Sequence, residues 1–321
     1  MELIVSHLSA LDYWRRISVK DAFAKRKFAA IKPAARPSRT VNSHVEKLEG
    51  LSKPVHVLVG YNCSHRASQK LRRHISTSEF PRESFIRIAN GLTVSSPELC
   101  FIQMASELSL IDLIMLGFEF CGSYRMREDL SLGQGFSCDS PLTSVAQLKA
   151  YATKAIGLRG RKNALAALRH IADGSASPME TALTMMLSLP YRLGGYGFTM
   201  PRLNSPIDIS TGAKKASRKS RYYLDLYWPD ALVAVEYDSD VWHAITDKIS
   251  EDARRRNALS SIGVTVINVS RRQINSTAKL REVAEVLGKL LGKRLKCPMP
   301  EFTARHALLR SQLLPKVSQD R

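Results

Sequence analysis

The stretch VAVEYDSDVWH, residues 233–243, opens as buried sheet and closes in charge: after Val233, Ala234 and Val235 come Glu236, Asp238, Asp240 and His243. Carboxylates crowded at the end of a core strand repel one another and raise one another's pKa, so the pattern asks for a partner of opposite charge. Immediately upstream, RYYLDLYW (221–228) is a second β-type run, and Pro229-Asp230-Ala231 between the two reads as a hairpin turn. That short turn predicts a register with Asp225 opposite Ala234 and diagonal to Glu236. Because successive side chains alternate, Asp225, Glu236 and Asp238 then share one face, while Leu224, Leu226, Val233, Val235 and Tyr237 share the other. A slip of one residue splits the carboxylates between faces.

Downstream, residues from about Ile245 to Ile262 are spaced as a helix that Gly263 ends, with Ile249, Ala253 and Leu259 on one side and Asp252 and Arg256 four apart as an ion pair. VTVINVS (264–270) reads as a third strand with Arg271-Arg272 at its exit, and 276–292 as a final amphipathic helix. The order β-β-α-β-α predicts an α/β sheet with helices packed on it. On the other side, SPMETALTMMLSLP (177–190) begins a helix with Ser177 at the cap, Pro178 in the first turn and Glu180 completing a capping box. TGAKKASRKSR (211–221) is a basic loop into the hairpin.

The earlier chain is less eloquent. HVLVGY (56–61) alternates like a strand, Asn90-Gly91 within FIRIANGLTV (85–94) is a hairpin signal, and helical spacing runs over 98–117, 145–155 and 161–173. KPAARPSRTVNSHVEKLEG (32–50) has the Pro, Ser and charge of a linker. The expected division is a basic N-terminal segment and linker over 1–50, an α+β domain over 51–175, the hairpin-bearing domain over 176–300, and a tail over 301–321.

With 321 residues and 44% hydrophobic content the chain is too long for one core, and two domains are expected. The net charge of +19 makes a polyanion the natural partner, nucleic acid first and an anionic membrane surface second. No apolar run reaches about 20 residues, so no membrane span is expected. The amino terminus lacks the pattern of a signal peptide and the expected location is the cytoplasm. Five scattered cysteines fit reduced packing thiols.

Three carboxylates on one face suit Mg²⁺ or Mn²⁺, and such an ion in a phosphate-attracting protein can polarise a phosphodiester and lower the pKa of a bound water. The other reading of the same residues is a solvated acidic hairpin face. Trp228 and Trp242 read as core packing at the hairpin, with base stacking as the alternative.

Taken together, D-x-x-W-P-D-x-L-x-x-V-E-x-D-S-x-x-x-H followed by D-x-x-x-R-N-x-L-x-x-x-G-V-x-V-I, from Tyr222 to about Ser270, resembles the very-short-patch-repair-like endonuclease domain of the PD-(D/E)XK superfamily. SHLSALDYWRR, VSSPELCFIQMA (94–105) and DGSASPMETAL (173–183) resemble stretches of actinobacterial AbiE-type abortive-infection antitoxin-like proteins that carry such a domain. The resemblance implies a C-terminal restriction-endonuclease-like mixed sheet flanked by helices, preceded by a smaller α+β domain. It implies Asp225 and Glu236 as metal-binding acids, with Asp238 standing where many members have a lysine and Glu180 matching the acid on the preceding helix. His243 is either a general acid or base or a hydrogen-bonding residue at the helix start, and Glu180 is equally a helix cap. Lys214, Lys215, Arg218, Lys219 and Arg221, with Arg254 and Arg255, are expected to grip phosphates. The function implied is a Mg²⁺- or Mn²⁺-dependent DNA endonuclease in phage defence or mobile-element conflict. The alternative is a catalytically silent DNA-binding antitoxin or repressor, with a toxin protein as a possible partner.

Overall fold

A computed structural model describes residues 2–18, 28, 51–60, 69–127, 135–209, 221–238, 246–295 and 300–314, the side chains of 246–252 lying outside the description. It is a mixed α/β chain that divides into two compact units, Met1–Ile171 and Ala172–Arg321.

The N-terminal unit is built on a mixed five-stranded sheet. Its strands are β1 (Leu3–Val5), β2 (Val55–Val59), β3 (Leu71–Ile75), β4 (Phe85–Ala89) and β5 (Leu92–Ser95), in the order β3-β2-β1-β5-β4. Leu3–Val5, expected to lie in an N-terminal segment with the linker, is part of this sheet, and residues 19–27 and 29–50 of that expected segment lie outside the described residues. Leu-Ile-Val is too short to declare itself as a strand, yet it is the central one, antiparallel to β2 and parallel to β5, and fully buried. The following helix α1 (His7–Arg16) is fixed by Trp14, whose indole N–H donates to the Ser95 carbonyl at 2.8 Å. With β1 and α1 included, this unit is the longer of the two, not the smaller.

Asn90-Gly91 joins β4 to β5, Gly91 taking φ +73 as a tight hairpin turn demands. Ser96 then caps α2 (Pro97–Met104), its hydroxyl accepting from the Leu99 N–H at 3.3 Å. The helical spacing over 98–117 is in fact two helices. Ser109 starts α3 (Leu110–Cys121) by accepting from the Asp112 N–H at 3.2 Å, and a serine there offers the backbone a better end than a continued helix. A two-stranded ribbon of β6 (Tyr124–Met126) and β7 (Phe136–Cys138), then α4 (Val145–Lys154) and α5 (Arg161–Ala167), complete the unit. Among the described cysteines Cys100 and Cys121 are buried and Cys138 is exposed, and none is in a disulfide.

Three imidazoles meet in this unit. The rings of His7 and His74 stack at 3.5 Å, and His74 Nε2 shares a 3.1 Å hydrogen bond with His56 Nδ1. Burial, then the neighbouring imidazoles and Arg72 and Arg159, pushes His7 down to about 3 and His74 to about 4. An unfolded histidine titrates near 6.5, so the unfolded chain takes up protons first as pH falls. Stability should therefore be intact above that value and lost progressively below it. For His7 the loss is about 2 kcal/mol between about pH 7 and pH 5. His7→Asn, which tolerates the left-handed backbone of this position, should flatten the pH dependence of urea unfolding by that amount.

The C-terminal unit holds a four-stranded sheet, β8 (Arg202–Asp208), β9 (Arg221–Trp228), β10 (Val233–Asp238) and β11 (Thr265–Ser270), in the order β11-β10-β9-β8. The first three strands form antiparallel pairs, and β10 and β11 are parallel, joined by the crossover helix α7 (Thr246–Ser261). Preceding the sheet is α6 (Pro178–Ser188); following it are α8 (Arg271–Asn275), α9 (Thr277–Leu290) and α10 (Pro300–Leu313). The residues expected to be a tail thus include a 14-residue helix with Phe302, His306, Leu309, Arg310 and Leu313 buried. His306 shares a 2.7 Å hydrogen bond with the Gly194 carbonyl.

Candidate functional site

The hairpin forms, but its register differs from the expected one by two residues. Val233, Ala234 and Val235 lie opposite Trp228, Tyr227 and Leu226, so the ladder, continued one step, brings Asp225 beside Glu236 itself. The three-residue turn at 229–231 is a 3₁₀ turn that closes on Leu232 at φ +52, leaving Trp228 and Val233 as the first pair. A shift of two preserves side-chain parity, so Asp225 and Glu236 remain on one face and come closer than expected. The Tyr237 N–H, instead of continuing the ladder, donates to Asp225 Oδ2 at 2.9 Å.

Helix α7 covers that region. Ala258 and Leu259 pack in a core cluster with Tyr227, Ala234 and Val264. Arg255 stands one turn earlier on the same i, i+3, i+4 stripe, so the face that buries Leu259 on the sheet carries Arg255 toward the carboxylates. It donates to the Tyr223 carbonyl at 2.7 Å, forms an ion pair with Glu236 and lies over the Tyr222 ring at 5.2 Å. Its Nε is buried with no partner among the described residues. The two arginines expected to grip phosphates differ in setting: Arg254 is exposed, whereas Arg255 is half-buried beside the carboxylates. Of the anticipated Asp252–Arg256 pair, Arg256 is exposed and the Asp252 side chain lies outside the described residues.

Glu180 contributes from α6. The serine half of the expected capping box is present, the Glu180 N–H donating to Ser177 Oγ at 3.2 Å; the Glu180 carboxylate, instead of taking the Ser177 backbone N–H, accepts from Ser177 Oγ at 3.0 Å and the Ala176 N–H at 2.9 Å. Asn204 of β8, which sequence reading missed, donates to Glu180 Oε2 at 2.7 Å. Burial raises the Glu180 carboxyl above the usual range and the charge of Asp225 raises it further, against the pull of these donors. Burial likewise raises Asp225, partly offset by the Tyr237 N–H and by Arg255. Glu180, Asp225, Glu236 and Arg255 are thus one electrostatic unit. Capping and coupling to Asp225 hold for Glu180 at the same time.

The remaining expected residues fall elsewhere. Asp238 is exposed at the end of β10, paired in the ladder with Ser270. Arg221 opens β9 and makes an exposed ion pair with Asp208 at 2.7 Å. Trp228 is core, donating its indole N–H to the Thr199 carbonyl at 2.8 Å. Lys214, Lys215, Arg218, Lys219, Trp242 and His243 lie outside the described residues. Among the described residues no three His, Cys, Asp or Glu side chains form a ready-made metal cluster; Glu236 is paired with Arg255, and the Glu180 carboxylate accepts from Ser177. The donors at Asp225 and Glu236 are nonetheless hard oxygens, the type a divalent cation of the Mg²⁺ class takes.

Fold and site together define a two-unit α/β protein whose C-terminal sheet carries a partly buried carboxylate pair closed by an arginine. No family model matches the chain, and no solved structure matches it. Two uncharacterized proteins from two strains of Mycobacterium tuberculosis are each 31% identical over 114 residues, covering 35% of this chain and 37% of theirs. The match thus takes in little more than a third of those relatives. No described helix is long and apolar enough to cross a membrane.

Proposed function

We propose that the chain is a nuclease-fold protein, a Mg²⁺- or Mn²⁺-dependent endonuclease acting on DNA in a phage-defence or mobile-element setting, with a restriction-endonuclease-like C-terminal unit. The observation that carries the reading is that Asp225 and Glu236, each one step beyond the last β9–β10 pair Leu226–Val235, both interact with Arg255, with Glu180 electrostatically coupled to Asp225. Asp225 and Glu236 would hold the cation, which supplies Lewis-acid charge to a phosphodiester and to the attacking water. Glu180 positions β8 through Asn204 while adding negative charge. Arg255 brings positive charge beside Glu236 where Asp238 stands in place of the superfamily lysine, and its paired donors would suit a phosphate oxygen of a substrate bound there. The net charge of +19 draws the polyanion in.

The Arg255–Glu236 ion pair also favours a second reading, in which arginine and not metal neutralises the carboxylates and the unit is a silent DNA-binding scaffold of an antitoxin or repressor, with a toxin as partner. Supercoiled plasmid incubated with the full chain in Mg²⁺, Mn²⁺ or EDTA separates the two. The enzyme nicks only with the cation, and the same cations at about 5 mM raise its melting temperature, as linkage requires of a site that exists only when folded. Tight plasmid binding with neither effect would leave the scaffold standing and remove the enzyme.

A further inference from the structure

A second site lies in the N-terminal unit, independent of the carboxylates and of the nuclease reading. A cavity of about 300 Å³ opens between the start of α1, the β3 end of the sheet and α2, the lower end of small-molecule pockets. Gln103 lines it and is 6% exposed. The His7 N–H donates to Gln103 Oε1 at 3.0 Å, which fixes the amide and leaves Nε2 buried with no partner among the described residues. A buried amide donor without an acceptor is costly, and such groups persist where something else completes them.

The backbone around it is also held in an unfavourable form. His7 is at φ +49, in the left-handed region that a histidine rarely adopts, and that conformation lays its ring against His74. Strain at a cavity wall together with an orphaned donor is the pattern of a preorganised ligand site. The chemistry of the wall says what fits. Arg73 and Arg159 supply positive charge against a single carboxylate, Glu107. Phe80, Leu99 and Ile102 add apolar surface to the lining, against which a flat ring can pack.

We propose that this cavity binds a small phosphorylated, ring-bearing metabolite of the nucleoside monophosphate class, its phosphate on Arg73 and Arg159 and a ring acceptor on Gln103 Nε2. Arginine suits the phosphate by its paired donors, and the aromatic and aliphatic lining suits the base.

The test uses the full chain in EDTA, which removes any cation-borne nucleotide binding at the C-terminal carboxylates. AMP, GMP, CMP, UMP and inorganic phosphate are titrated by calorimetry and thermal shift. At least one nucleotide should bind with sub-millimolar affinity and raise the melting temperature, while inorganic phosphate binds at least about tenfold more weakly. Arg159→Ala should weaken that nucleotide about tenfold or more. Gln103→Glu keeps the acceptor for the His7 N–H and so keeps the fold, but turns the orphaned donor into an anion. It should weaken binding at least as much. Failure of all four nucleotides to bind, phosphate binding as tightly as any of them, or binding undiminished in both variants would each overturn the proposal.

Discussion

Asp225→Asn should give a protein that is more stable in EDTA than the natural one and unable to nick plasmid. The two effects follow from the same fact. Asp225 is held above its ordinary pKa by burial, and its charge in turn raises Glu180, so at neutral pH the folded state carries ionised carboxylates in a place that disfavours them. The sign is plain: a carboxyl whose folded pKa is raised is a liability above that pKa, and none at pH values where it is protonated in both states. Asparagine removes the charge while its Oδ1 still accepts from the Tyr237 N–H. Relieving one repulsion between partly buried charges is worth about 1 kcal/mol, or about 2–4 °C in melting temperature. Glu236→Gln should move stability the other way. It leaves Arg255, whose Nε already has no partner among the described residues, without its carboxylate, at a cost of about 1–3 kcal/mol given that both side chains keep some solvent contact. In an enzyme both substitutions lower cation-dependent nicking about 100-fold or more, the scale of losing one group that stabilises transition-state charge. Opposite stability shifts with a common loss of nicking place the pair at the reacting centre; equal destabilisation by both would sink the electrostatic account of the site.

That site was half legible in the residues. Glu180 is visible because Ser177-Pro178-Met179-Glu180 is a local capping signal, and local hydrogen bonding does not depend on tertiary context. Asp225 and Glu236 are visible because alternation survives an error of two in register, although the distance between them does not. Arg255 is placed by the helical stripe it shares with Ala258 and Leu259, yet its partner is set by the sheet, which no helix period reports. Asn204 was out of reach: RLNSPID, with its Asn, Ser and Pro, carries no strand signal, and Pro206 is tolerated in β8 because β8 lies at the edge of the described sheet, where no further strand needs an N–H from that position. The last helix hid for a related reason. Its buried stripe from Phe302 to Leu313 includes His306 and Arg310, so hydrophobic spacing alone misses it.

In the N-terminal unit the largest single-residue effect on stability should come from Gly160→Ala. Gly160 sits just ahead of α5 at φ +91, where any other L-residue is strained by about 1–2 kcal/mol. A Cβ there would lie 2.1 Å from the Ile102 carbonyl oxygen and 3.1 Å from the Ser106 nitrogen, both backbone atoms at the end of α2 that cannot rotate aside. The junction is pinned from both sides, since Asn163 Nδ2 donates to the Ala105 carbonyl at 2.9 Å and the Ala164 N–H to the Gly160 carbonyl at 2.9 Å. Forcing the helices apart adds about 1–3 kcal/mol of overpacking, for a total of about 3–5 kcal/mol. Gly157→Ala is the matched control: its φ is +82, but nothing among the described residues stands within 4 Å of the added carbon, so only the backbone strain remains. Thermal unfolding followed by circular dichroism should show Gly160→Ala melting about 8–15 °C below the natural protein and Gly157→Ala only about 2–6 °C below it. Equal losses would mean that backbone conformation alone sets the cost, and that the close approach of α5 to α2 carries no energy of its own.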